Sequence, residues 1–205
     1  MDRAHAQRGV TLVELMVTLA VAAVLMFAVV PNVGHWMRST QVRNATESIQ
    51  AGLQRARNEA VRRNRNVQFS LVSLADPAVM DDSCALSSAS GSWVVSLADP
   101  SGKCGAAADN VDPFIVDRHA VAQGGRNVVV TALQVDGATP ATTLSFDAFG
   151  RVVSAGPIAR IDVVHAAGAT DARSLSIEVA PSGSVRTCDP LATAADDPRR
   201  CLLPR

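Results

Sequence analysis

The chain has 205 residues, nineteen basic and nineteen acidic, for a formal net charge of zero. That balance excludes a global electrostatic pull toward nucleic acid or anionic lipid. Aromatic residues are only 3% of the chain and Tyr is absent, so the core must come from Val, Leu, Ile and Ala, and base-stacking surface is scarce.

The N-terminal segment comes first. Arg3 and Arg8 precede a stretch, 15–34, without a charged residue. About twenty residues rising roughly 1.5 Å each cover a hydrocarbon core of about 30 Å, which predicts a membrane-spanning helix over 10–34 with its apolar heart at 15–30. Pro31 lacks an N–H and is expected to kink or interrupt it. Glu14 sits at the near end, where a carboxylate is costly unless it meets a cation. A cleaved secretory signal would supply the basic start, but this apolar run is too long for one and Glu14 breaks its beginning. Helical patterning also continues past the run. Val42, Ala45, Ile49, Leu53, Ala56 and Ala60 recur at three- or four-residue spacing, which places them on one face. Arg43, Arg55, Arg57, Glu59, Arg62 and Arg63 mostly fall off that face. Basic residues flank the span on both sides, so charge counting alone leaves its orientation open.

After 62–66 the period changes. Val67, Phe69 and Leu71 alternate with polar residues and read as a strand. Further strands are predicted at 92–97, 114–116, 127–133, 142–146, 160–164 and 175–179. Asp-Pro, Gly-Gly and Pro-Ser-Gly punctuate them, and 76–82 and 99–110 read as loops. A long helix followed by strands alone predicts an α+β fold, with the apolar stripe packed on a β-sheet or β-sandwich-like domain.

Candidate chemistry is sparse. His5 and His35 lie at the two ends of the apolar segment, and His119 and His165 are isolated. On a strand, Asp162 and His165 would point to opposite faces. No nucleophile elbow, zinc-protease helix or phosphate loop occurs, so no enzyme activity, cofactor or small-molecule substrate is expected. Cys84, Cys104, Cys188 and Cys201 form no C-x-x-C pair and have no His at ligand spacing, so no metal is expected. Four cysteines in two close pairs suggest two disulfides in an oxidising compartment. Three connectivities are open, and nearest-neighbour pairing, with Cys188 bonded to Cys201, is the working choice.

The run Gly9-Val10-Thr11-Leu12-Val13-Glu14-Leu15-Met16-Val17 resembles the class III signal of type IV pilins and type II secretion pseudopilins. The resemblance implies cleavage by a prepilin peptidase after Gly9, methylation of the new N-terminus at Val10, and pairing of Glu14 with the N-terminal amine of a neighbouring subunit. Family members usually have Phe where this chain has Val10. A second resemblance lies in "LSFDAFGRVV" at 144–153 and "SLSIEVAPSGSVRTC" at 174–188, which look like the two blocks of the GspH/FimT family of minor pilins and secretion pseudopilins. The stretch 53–69 is similar to that family's passage from helix to first strand.

These resemblances imply a leader at 1–9, a pilin helix at 10–65, a β-rich periplasmic domain at 66–187 and a Cys-closed tail at 188–205. They imply a protein held in the bacterial inner membrane and then built into a pilus or pseudopilus. Its partners would be other pilins or pseudopilins and the prepilin peptidase. Asp147, Gly150, Gly183 and Arg186 are expected to serve turns. Some members bind DNA through a basic motif in the last strands. Here Ser184 replaces one Arg of that motif, leaving Arg186, Arg199 and Arg200 as candidate contacts, opposed by Asp189, Asp196 and Asp197. The basic stretch 62–65 is a further candidate contact, with a solvated helix end as the plainer expectation.

Overall fold

Apolar residues at helical spacing carry one helix, α1, of 52 residues from Leu12 to Arg63. The computed structural model of the chain describes residues 11–107, 111–168 and 173–203, and the side chains among them except those of 27–33. At the start of α1, Thr11 Oγ1 accepts a hydrogen bond from Glu14 N at 3.2 Å, the geometry of an N-cap. At its end Asn64 turns to φ 51°, and Arg65 N donates to Ala60 O at 3.2 Å. Asn tolerates that left-handed conformation, and the bond closes an orphan carbonyl. The helix runs without a break, which corrects the interruption expected at Pro31. A proline removes one ladder bond, and the turns on either side retain theirs.

Residues 1–37 and 38–205 form separate compact units. In the first, the described side chains along 12–26 are exposed, with Leu12 at 76% and Met26 at 68%. Among the described residues no helix is long and apolar enough to cross a membrane. The described part of the apolar run stops at 26, and the span expected over 15–30 lies partly outside the described residues.

The second unit joins the C-terminal half of α1 to two antiparallel sheets. The first sheet holds β1 (Val67–Ser73), β2 (Ala85–Leu86), β3 (Ser92–Ser96), β4 (Ile115–His119) and β6 (Thr143–Phe146). β3 lies along one edge of β1 with Gln68 opposite Ser96, and β6 and β2 share the other edge in succession. β4 pairs with β3 across a bulge between Val95 and Ser96. The second sheet runs β5 (Val128–Leu133), β7 (Arg160–His165), β8 (Leu175–Val179) and β9 (Val185–Cys188) in that order. A short 3-10 turn, Val121–Gln123, precedes β5.

One core serves both sheets. The helix stripe Val42, Ala45, Ile49, Leu53, Ala56 and Ala60 clusters with Val67, Phe69 and Leu71 of β1 and with Ile161, Val163 and Ile177 of the second sheet. Truncating a fully buried member such as Ile49 to Ala is expected to cost about 2–5 kcal/mol. Gly52 on α1 is required by this packing, because a Cβ there would lie 2.9 Å from both Phe69 and Trp93. Trp93 then reaches back, its Nε1 donating to Ser48 Oγ at 3.1 Å. The other face of β1 feeds a smaller cluster of Val72, Val94 and Ile115 around Cys84 and Cys104.

Candidate assembly site

Gly9 and Val10, the residues expected to carry processing, lie outside the described residues. Glu14 is described. It sits in the first turn of α1, where a negative charge suits the helix dipole, and it is exposed. Thr11 to Glu14 also has the T-x-x-E spacing of a capping box. Among the described residues the Glu14 carboxylate has no ion-pair partner. It shares its turn with the exposed Leu12, Val13 and Leu15.

The two cysteine pairs are bonded as Cys84–Cys104 and Cys188–Cys201. The first bond lies in the small apolar cluster. The second ties the end of β9 to the C-terminal tail, a strap that runs back over the second sheet. Asp189 N donates to Arg199 O at 2.7 Å and starts that return.

Beneath the strap lies a group of residues of which only Arg186 stands out in the sequence. Register sets Arg160 on β7 opposite Glu178 on β8, and Glu178 opposite Arg186 on β9. Opposed residues share a face, so the three form one row. Glu178 is 5% exposed and Arg160 1%. Glu178 Oε2 accepts from Arg186 Nε at 2.8 Å, and Glu178 Oε1 accepts from the backbone N–H of Leu202 and of Leu203, both at 2.7 Å. Arg186 Nη2 also donates to Arg200 O at 2.8 Å. Arg186 therefore anchors the tail and does not serve a turn, which corrects that expectation. The available signal was the charged residues set into the apolar strands β7 and β8. Its meaning depends on a register that one sequence does not display.

Asp147, Gly150 and Gly183 do build turns. Asp147 Oδ1 accepts from Phe149 N at 2.9 Å and Arg151 N at 2.8 Å. The backbone N–H of Arg151 is the main cause holding the Asp147 carboxyl below its ordinary value. Gly150 has φ 73° and its carbonyl accepts from Arg57 Nε at 3.1 Å.

Of the three arginines named as DNA contacts, Arg199 forks onto Asp197, with Nη2 to Oδ2 at 2.8 Å. That guanidinium lowers the Asp197 carboxyl to about 2. Arg186 is held by Glu178 as described, and Arg200 is partly exposed. The helix end at 62–65 is not simply solvated. Glu59, 4% exposed, gathers Arg62 at 2.6 Å, Arg63 at 2.8 Å and Arg55 at 3.5 Å. The Arg62 hydrogen bond, with Arg63 and Arg55 behind it, holds the Glu59 carboxyl at about 2 against burial.

The two isolated histidines are both occupied. His119 stacks on Trp93 at 5.8 Å, and burial pushes its pKa down. His165 Nδ1 accepts from Ala167 N at 3.1 Å, which leaves Nε2–H to face Gln41 Oε1 at 3.2 Å. Glu178, Cys188 and Cys201 place a carboxylate oxygen and two sulfurs within 4.8 Å of one another, but both sulfurs are spent in the disulfide.

The profile of the family described as Type II transport protein GspH matches residues 45–183, well over half of the chain. The chain belongs to the GspH family. The prokaryotic N-terminal methylation motif matches residues 4–30, which include Gly9, Val10 and Glu14. GspH-family membership together with that motif makes this a protein of the minor pilin and pseudopilin type, which interacts with other pilins and is processed by prepilin peptidase. Two solved structures of the type IV minor pilin FimU of Pseudomonas aeruginosa strain PAO1 are similar to it. In space group P65 the match has 15% identity and TM-score 0.42, covering 71% of this chain and 90% of that one. In space group P21 it has 21% identity and the same TM-score, covering 71% and 86%. No curated protein matches the chain.

Proposed function

We propose that this GspH-family protein is a minor type IV pilin whose work is assembly rather than catalysis. It is made with a leader, cut between Gly9 and Val10, and held in the bacterial inner membrane by the apolar half of its helix, with the β-domain in the periplasm. It then enters a pilus or primes its assembly. The observation that carries this reading is Glu14, an exposed carboxylate without a partner among the described residues, set in a turn of exposed Leu and Val. Cutting at Gly9–Val10 creates an α-amino cation, and a neighbour's amine would neutralise Glu14. In apolar surroundings any other register leaves two charges unmatched. The engaged states of His119 and His165 favour a structural role for them as well.

The test is Glu14→Ala in the full chain. We expect a β-domain that melts normally and a large drop in incorporation into filaments. Normal incorporation overturns the docking role. Deleting the gene and measuring piliation, exoprotein release and DNA uptake in parallel separates the related readings. Loss of pili supports the minor pilin. Intact pili with lost exoprotein release supports a type II secretion pseudopilin. A role in DNA uptake draws less support, because Arg186 and Arg199 already face carboxylates.

A further inference from the structure

The second sheet has two unlike faces. Ile161, Val163, Ile177 and Val179 belong to the apolar core. The residues alternating with them are polar. Arg160, Glu178 and Arg186 make one row, and Asp162, Ser176 and Cys188 make the next. This polar face is nonetheless mostly buried, with Ser176 at 0% and Cys188 at 2% exposure, while Asp162 and Arg186 are half-buried. An apolar cover would stabilise a sheet as well without burying charge. The charges are satisfied here in a particular way. The polar contacts from Glu178 and Arg186 to the described part of the strap end on its main chain, as does one from Arg160. Glu178 takes the N–H of Leu202 and Leu203, Arg186 donates to Arg200 O, and Arg160 Nη1 donates to Leu203 O at a longer 3.4 Å. The Leu202 side chain points away, 69% exposed.

We propose that this face is a clamp for a bent stretch of peptide main chain. It is filled here by the chain's own residues 200–203, and it accepts the same segment from a second copy whenever Cys188 and Cys201 are not yet joined. A carboxylate that reads two N–H groups and arginines that read carbonyls recognise a backbone, whichever chain supplies it. The disulfide keeps the filling intramolecular by raising the effective concentration of the strap. Without it, an emptied clamp leaves Glu178 Oε1 without its two N–H donors, a cost that favours capture of another strap and hence a swapped pair.

The experiment mixes two full-length variants in detergent micelles, Cys188→Ser and Cys201→Ser, with glutathione disulfide as oxidant. Neither can close its own 188–201 bond. A disulfide between copies, Cys201 to Cys188, forms with release of two reduced glutathiones. Peptide mapping by mass spectrometry counts it against 188–188 and 201–201 pairs. We expect 201–188 pairs in clear excess over the statistical yield. Glu178→Gln in the Cys188-bearing copy should lower that excess about tenfold, the scale of one charge-assisted hydrogen bond. The same change in the Cys201-bearing copy should leave it intact. A statistical yield, or equal effects in both copies, overturns the proposal. A second arm needs no change at Glu178. An unlabelled peptide of residues 199–203, with Ser at 201, should compete the excess away. The peptide N-methylated at 202 and 203 should not, and equal competition by both also overturns the proposal.

Discussion

Gly183 joins two separate parts of the chain at a single point. Its φ is 80°, and a Cβ there would fall 1.8 Å from Gly150 O, the same carbonyl that accepts from Arg57 on α1. Backbone strain of this kind costs roughly 1–3 kcal/mol by itself. Gly183→Ala is therefore expected to lower stability by at least about 2 kcal/mol in urea melts, through φ strain together with lost contact between the two turns. Glu59 supplies a pH-dependent contribution. Its folded pKa is lowered from 4.5 to about 2, so the stability it adds is complete above pH 4.5 and is lost as pH falls through about 2. Glu59→Gln should flatten acid unfolding in that window and leave the curve above it parallel to the parent. An undiminished acid slope in the variant would assign it to other carboxylates. In the sequence, Glu59 reads as one charge among arginines off the apolar stripe. Its burial under the arginines it gathers is a three-dimensional fact that helical spacing does not describe.

At the scale of elements, the helix and most strands are legible because each has its own period. The stripe from Val42 to Ala60 and the alternation at Val67, Phe69 and Leu71 are local patterns, and the folded chain uses them in one core. β2 and β9 are different. β2 is two residues whose conformation comes from pairing with Val72 and Ser73. β9 reads Val-Arg-Thr-Cys, with little apolar signal, and exists as a strand through pairing with β8. The strap depends in turn on both β9 and Glu178. Opening its bond with Cys188→Ser and Cys201→Ser removes a closure worth about 3 kcal/mol in the chain-entropy model. We expect a lower melting temperature together with faster hydrogen exchange at Leu202 and Leu203, while amides of β7 keep their protection. Uniform loss of protection would mean that the strap and the sheet unfold as one.

At the scale of the molecule, residues 38–205 hold the shared core, both sheets and both disulfides, and 1–37 form a unit apart. A chain beginning at residue 38 is therefore expected to be soluble and to unfold in one cooperative transition, checked by calorimetry against the van't Hoff enthalpy. The full chain is expected to stay in the membrane pellet after an alkaline wash. The exposed apolar start of α1 and the lone carboxylate of Glu14 were legible because apolar patterning and an isolated charge are local facts. The tail clamp was not, since Arg160, Glu178 and Arg186 meet only when three strands fall into register.

The bond from Thr11 Oγ1 to Glu14 N has a consequence for the order of events at the membrane. Scission at Gly9–Val10 would leave Thr11 as the second residue of the finished protein. The cap thus lies wholly on the retained side of the cut. Removing the leader asks for no refolding of the first turn. The new amine would appear one residue before a helix cap that is already in place, so on the proposed reading docking would wait on the cut and not on any rebuilding of that turn.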